Sequence, residues 1–288
     1  DKPADPIIVH PDVRKMLLTA RAYAEGGRAL AMWTMLQLDK ELAGGDADER
    51  AECADLVALI TPIVKAFLTD NGWIATSHCM QVYGGHGYIK SAGMEQYVRD
   101  ARILPIFEGT NEILRLYIAL SSLKDVGASL KELQSAVSSI FNDPIKGFGV
   151  LSGYAERRFA RATGLGAAVK VSTPVATALR PLVDIYESYA RATARVAEDV
   201  LRKYGRGISD QQHSQRRIAD LMIDLFVGLC VISRADSIIR SDPASATQVT
   251  DIARVFAHQA RRRMVRNVRG LSHNEDQSIE ALAGAILE

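Results

Sequence analysis

Residues 11–46 read PDVRKMLLTARAYAEGGRALAMWTMLQLDKELAGGD, and the spacing of their apolar positions decides the fold class. Val13, Met16, Leu17, Ala20, Tyr23, Leu30, Trp33, Leu36 and Leu38 recur mostly three, four or seven residues apart. That is the period of a helix with an apolar face, not the alternation of a strand. Pro11 suits a first helical turn, and Gly44-Gly45-Asp46 ends the pattern. Gly26-Gly27 interrupts it at about 1 kcal/mol per glycine against Ala, so the pair is expected where another helix or a ligand comes close.

The same period continues on both sides of that helix. A second long helix is expected from about Glu49 to Tyr83 through Leu56, Leu59, Ile63, Phe67, Trp73, Ile74 and Val82, with a kink or break at Pro62 and an end at Gly84-Gly85. A short helix follows near Gly93 to Ala101, then an irregular stretch around Pro105, then a helix opened by Thr110 and running to about Leu123. Glycines at 127, 147, 149, 153, 164 and 166, with Pro144, mark a change of composition and a domain boundary. Beyond it, helices are expected over about 173–204, 209–240 and 243–269, with a terminal one after Asn274. Turns as short as Gly205-Arg206-Gly207 and Ser241-Asp242-Pro243 make them antiparallel. The expectation is an all-α chain, with a helical domain over 1–123, a linker with short helices over 124–166, and a second helical bundle over 167–288.

Composition narrows the function classes. The 288 residues are 48% hydrophobic and 24% charged, an ordinary globular balance long enough for about two domains. Lys plus Arg is 35 against 34 for Asp plus Glu, so the chain as a whole has no strong attraction for nucleic acid or anionic lipid. The longest apolar run, Leu221 to Ile232, contains Asp224 and falls well short of the roughly 20 residues that span a bilayer. Cys53, Cys79 and Cys230 are dispersed and lack CxxC spacing, which points to reduced, mostly buried thiols of a cytosolic or matrix compartment. The six histidines lack metal-ligand spacing, and no metal site is expected. Asp-Lys-Pro-Ala-Asp-Pro at the start reads as the edge left by a cut between domains or by maturation.

Three pieces carry chemistry: Gln81-Val82-Tyr83-Gly84-Gly85-His86-Gly87-Tyr88, then Met94-Glu95-Gln96-Tyr97-Val98-Arg99-Asp100-Ala101-Arg102-Ile103, then Ile106-Phe107-Glu108-Gly109-Thr110-Asn111-Glu112-Ile113-Leu114-Arg115. The first is a helix end whose glycines bare backbone N–H groups to a phosphate or a flat ring, although a plain glycine cap explains it as well. In the third, Thr110 is a natural N-cap. Glu108, between Phe107 and a Gly-Thr pair, would be a partly desolvated carboxylate of raised pKa, suited to taking a weakly acidic proton. Locally, an exposed loop acid just outside a helix is the plainer reading.

Taken together and in order, these pieces resemble the C-terminal helical domain of the acyl-CoA dehydrogenases. QQHSQRRIADLMIDLFVGLCVISRADSII, residues 211–239, is similar to the second helical domain of the very-long-chain branch and of its assembly-factor relative, and IIVHPDVRKMLLTARAYAEGGRALA, residues 7–31, to the bacterial long-chain branch. The resemblance implies FAD-dependent α,β-dehydrogenation of a long-chain fatty acyl-CoA in β-oxidation. It makes Glu108 the catalytic base, places Gln81, Gly84, Gly85, Thr110 and Glu112 against FAD, and puts Gly109 where the acyl thioester needs room. Glu112 departs from the glutamine often found there. Family enzymes carry an N-terminal helical domain and a middle β-domain before this region, so the chain reads as a C-terminal half, inactive and free of FAD when alone.

Further implications are a homodimer, an electron-transfer flavoprotein or similar acceptor, and a bacterial cytoplasmic site, peripheral on the inner membrane, or else the mitochondrial matrix. The competing class is a non-catalytic helical scaffold related to the same family. Arg261, Arg262, Arg263, Arg266 and Arg269 form either a solvated basic face or a contact with an anionic membrane, unless acids such as Asp220 and Asp224 pair with them. Without interleaved aromatic residues, nucleic acid is not an expected partner.

Overall fold

A computed structural model describes residues 4–123 and 174–287, and no strand occurs among them. The linker expected over 124–166 lies outside the described residues, and the helix expected from about 173 begins at Arg180, after a 3-10 turn at Thr177–Leu179.

Helix α1 (Pro11–Ala43) starts with Pro11 in its first turn and closes when the Gly44 N–H donates to the Lys40 carbonyl. After three residues the chain turns into α2 (Ala47–Val82), whose N-cap Asp46 accepts from the Glu49 N–H at 2.7 Å. The two run antiparallel, with Lys40 near Glu49, Cys53 donating to Gln37, and the Tyr23 ring edge-on to Phe67. Pro62 does not end α2. It is buried within the helix, which continues 20 residues beyond it because packing against α1 outweighs the one missing backbone donor.

A single turn, α3 (Gly85–Tyr88), and a 3-10 turn at Lys90–Ala92 lead into α4 (Met94–Ile103), and α5 occupies 111–123. The second bundle is α6 (Arg180–Tyr204), α7 (Gln212–Ser241), α8 (Ala246–Gly270) and α9 (Asp276–Leu287). Asp224, mid-α7, meets Arg263 near the far end of α8, and Tyr186, early in α6, meets Gly228 in α7, so neighbours are antiparallel as the short turns require.

The two bundles share one hydrophobic core, because α1 packs on α2 along one side and on α7 and α8 along the other. Its glycine pair serves these contacts: a Cβ on Gly26 would lie 2.8 Å from the Phe256 ring of α8, and one on Gly27 would lie 2.6 Å from Leu68 of α2. Helix packing, not a ligand, accounts for both. Gly228 plays the same part in α7, where a side chain would overlap the Tyr186 ring. Two expected core positions of α1 are corrected, since Leu36 and Leu38 are exposed, as are Met32, Met35 and Leu42. A third side of α1 is apolar with nothing from the described residues over it.

No helix among the described residues is long and apolar enough to cross a membrane. Cys53 and Cys230 are buried and Cys79 half-buried, all as free thiols, and burial pushes the Cys230 thiol up to about 12.

Candidate functional site

Glu108 lies in the bend between α4 and α5 at φ +55°, and among the described residues it is the one non-glycine at positive φ. Gly109 follows at +84°, a backbone conformation that favours glycine, although a Cβ there would meet only Leu114 at an ordinary 3.6 Å. Gly109 is therefore needed for its backbone angle; the described residues do not crowd it. Left-handed geometry at a residue such as glutamate costs about 1 kcal/mol or more, so its neighbours must hold it.

Lys65 of α2 does so. Its Nζ donates to the Gly109 carbonyl and to Asn111 Oδ1, each at 2.7 Å. Asn111, fully buried at the start of α5, passes its amide hydrogens to Thr69 Oγ1 and Asp70 Oδ1. Arg115, one turn later, reaches Asp70 at 2.6 Å, the Asn111 carbonyl at 3.2 Å, and Asp220 of α7 at 2.8 Å. A continuous polar chain thus runs from the Glu108 turn down to the second bundle. Partial burial lowers the Lys65 ammonium below its ordinary value, against the pull of Asp70, Glu112 and Glu108. Asp220 and Asp70 hold the Arg115 guanidinium above its own, despite burial.

The bend also agrees with Thr110 as a cap, since its Oγ1 accepts from the Ile113 N–H at 3.4 Å. The desolvated carboxylate expected at Glu108 is not provided by this chain. Glu108 is exposed, and so are Ile103, Ile106, Phe107 and Ile113 around it, leaving an apolar rim open to solvent. The Glu108 N–H donates to no group among the described residues. A strained, anchored carboxylate beside a free N–H can place a base and a donor on one molecule, provided that molecule or another chain segment covers the rim.

Gln81, Gly84 and Gly85 form a separate group at the end of α2. All three are exposed, and a Cβ on either glycine would meet nothing within 4 Å. An anion or flat ring can approach that backbone freely. Gly87, by contrast, is needed for packing, a Cβ there falling 2.5 Å from the Met80 carbonyl. Glu112 is exposed on α5, with Lys65 close enough to offset part of its charge. Counting along α2 at about 1.5 Å per residue, Gln81 lies ~17 Å beyond Asp70 and ~24 Å beyond Lys65. The seven positions implicated in the sequence therefore fall into two groups, Gln81 with Gly84 and Gly85, and Glu108, Gly109, Thr110 and Glu112. One molecule can touch both in one chain only if it is extended.

Of the two readings of the basic helix, pairing with Asp224 holds for one arginine. Arg263 turns inward, gripping the buried Asp224 at 2.6 to 3.1 Å and the Tyr23 hydroxyl at 3.1 Å. Burial pushes the Asp224 carboxyl up, to about 6, while Arg263 pulls it back. Asp220 is committed to Arg115, so Arg261, Arg262, Arg266 and Arg269 remain exposed.

Sequence reasoning missed Lys65, Asn111 and Arg115. One signal was available, since Lys65 is the lone charge between Asp55 and Asp70 in an otherwise apolar and Thr/Pro stretch.

Comparison with known proteins gives two family matches, the acyl-CoA dehydrogenase C-terminal domain over residues 2–123 and the ACAD9/ACADV C-terminal domain over residues 177–288. The chain is 33% identical over 215 residues to the mitochondrial very long-chain specific acyl-CoA dehydrogenase of Rattus norvegicus, covering 75% of this chain and 32% of that protein. It is 39% identical over 167 residues to 3-methylmercaptopropionyl-CoA dehydrogenase of Ruegeria pomeroyi, covering 56% of this chain and 28% of that one. An acyl-CoA dehydrogenase from Bacillus anthracis, solved with FAD, superimposes with a TM-score of 0.71 at 18% identity, over 98% of this chain and 46% of that one. The chain spans about a third of the length of the curated relatives it matches.

Proposed function

The chain belongs to the acyl-CoA dehydrogenase family, on its long-chain branch, and from that premise we propose that it is the C-terminal part of an FAD-dependent enzyme that introduces an α,β double bond into long-chain fatty acyl-CoA, with Glu108 as the base. The observation that carries this reading is the Glu108 turn, a positive-φ glutamate beside Gly109, which Lys65 fastens, with an N–H that bonds none of the described residues.

The α-hydrogen of a thioester is a weak acid until its carbonyl oxygen is polarised, so a base and an oxygen-facing donor must act together. In this reading the Glu108 carboxylate takes the α-proton, and its own N–H faces the thioester oxygen. Lys65, bound to Gly109, keeps the two in register. Water is excluded by whatever segment or substrate covers Ile103, Ile106, Phe107 and Ile113.

FAD fits the residues present: Gly84 and Gly85 leave open backbone for a pyrophosphate beside Gln81, and Thr110, having accepted from Ile113, keeps its hydroxyl proton to donate. When bound, FAD supplies the acceptor for the hydride that leaves the β-carbon. The separation along α2 agrees with Gln81, Gly84 and Gly85 serving the FAD of a partner subunit and Thr110 and Glu112 serving that of their own, so a homodimer is part of the proposal. An electron-transfer flavoprotein as acceptor, a peripheral contact with an anionic membrane, and residues 124–166 as the linker between two domains complete it.

The test is Glu108→Gln in the full-length protein. It should keep its yellow flavin spectrum and bind acyl-CoA while losing at least about a thousandfold in kcat, since an amide keeps the shape and cannot accept the proton. A variant that turns over at more than a few per cent of wild type rejects Glu108 as the base. A colourless wild-type protein would reject the enzyme and leave the scaffold.

A further inference from the structure

Beyond that reading, we propose that a cleft at the far end of the second bundle binds a compact phosphate-bearing anion through Arg216, Arg262, Arg266 and Arg269. The cleft, about 730 Å³, is formed by the start of α7, the last third of α8 and the turn that follows it, with His213 and His273 also in its lining.

Charge bookkeeping at this end is lopsided. Three acids stand near it, and each is held by a different arginine: Asp220 by Arg115, Asp224 by Arg263, and Asp276 by both nitrogens of Arg217 at 2.5 and 2.7 Å. No ion pair among the described residues engages Arg216, Arg262, Arg266 or Arg269. Four guanidinium groups therefore face one concavity, with Glu275 as the one lining acid not held in an ion pair, in a chain whose net charge is +1.

A solvated helical face would not look like this. Arg262, Arg266 and Arg269 are spaced to line one stripe of α8, and Arg216 approaches from another helix, so the charges converge instead of spreading. The helix macrodipole explains Arg269 in the last turn of α8. It works against Arg216, close to the start of α7, where the first turn has no acidic residue and no side-chain cap. An anion would relieve that mismatch together with the mutual repulsion of the arginines. The floor is firm, with Asn267 buried and Arg217 pressed over Gly270, where a Cβ would lie 2.9 Å from its Nε. The four lining cations in no ion pair among the described residues are all arginine, whose planar fork matches phosphate oxygens two at a time. A lipid headgroup and a soluble phosphate ester share this chemistry.

Inorganic pyrophosphate titrated into the full-length protein at low ionic strength, followed by calorimetry, and vesicles of phosphatidylcholine with one-fifth phosphatidic acid, followed by co-sedimentation, separate the sources. Pyrophosphate should bind in the sub-millimolar range and weaken with added salt. Arg262→Gln with Arg266→Gln should lower affinity at least tenfold, and Arg216→Gln severalfold. Arg261→Gln, on the same helix and outside the cleft lining, should leave it unchanged. Vesicle binding with the same variant pattern identifies a headgroup as the ligand, and pyrophosphate binding alone identifies a soluble one. The proposal is overturned if neither probe binds, if binding ignores the double substitution, or if Arg261→Gln weakens it as much, which would mark a diffuse charge effect. All these side chains are exposed, and a matching thermal melt verifies that each variant is folded.

Discussion

The two halves of the chain treat their apolar side chains differently. In residues 174–287 nearly every large apolar group is covered: Tyr186, Phe256 and Met264 are almost fully buried, Phe256 against α1, and the large apolar groups left outside are Leu229, Val265 and three on α9. In residues 4–123, Met32, Met35, Leu36 and Leu42 line α1 in the open, and Tyr88, Ile103, Ile106 and Phe107 do the same near the candidate site. The back half has its apolar groups covered within the described residues, partly by α1. The front half is built to be covered, and its chemistry sits on the uncovered side.

That contrast can be broken most sharply in the back half. Gly228→Ala should cost about 3 kcal/mol, because the new methyl overlaps the Tyr186 ring and neither helix can retreat without opening the core. A urea midpoint shifted by less than a third of that would mean the back half is loosely packed. Arg115→Met is next. It strands Asp70 and Asp220 at the seam between the halves, and since both acids are partly exposed the cost should be about 1–2 kcal/mol. A neutral effect on thermal unfolding would show that the halves are joined by apolar contact alone.

A smaller effect concerns α9. Arg217 holds the Asp276 carboxyl below its ordinary value, so this contact adds stability above the unfolded value of 3.8, which is lost as pH falls through the lower, folded value. The protection of amides 276–287, taken against the intrinsic exchange rate at each pH, should fall below about pH 4 before the rest of the bundle responds. Uniform exchange would place α9's attachment elsewhere. The smallest effect tests the open face. Met35→Ser with Leu36→Ser should change this chain's stability by less than about 0.5 kcal/mol. The same pair should cost more in the full-length assembly if that face is covered there.

The same contrast explains what could be read from the sequence. Helix ends were legible where local chemistry fixes them: Pro11 in a first turn, Gly44 after α1, Thr110 before α5. Apolar period showed that α1 is a helix, but it counts every apolar residue as core, and Leu36 and Leu38 face a side that the described residues leave bare. Pro62 does not break α2, because its local penalty is small beside the packing along 36 residues of that helix. The sequence allows Asp224 to pair with an arginine of α8 without saying which; Arg263 is the one, three residues after Ala260 and seven after Phe256, on the edge of the buried stripe. Of the candidate site, the Glu108 bend and its cap were readable from the chain. Lys65 and Arg115 were not, since their partners lie 44 to 105 residues away and no local rule joins them.

The long reach of α1 also sets the order in which the molecule can be made. Thr19 bonds Gln259 and Tyr23 bonds Arg263, each pair 240 residues apart. At a synthesis rate of roughly 5–20 residues per second, the side of α1 that receives Phe256 waits on the order of 10–50 s for its partner to leave the ribosome. During that interval Gly26 and its neighbours present a groove shaped for an aromatic ring to the crowded solution around the ribosome. A chain released before residue 256 keeps that groove for good, so early truncation should show itself as chaperone retention and aggregation before any loss of catalysis is measured.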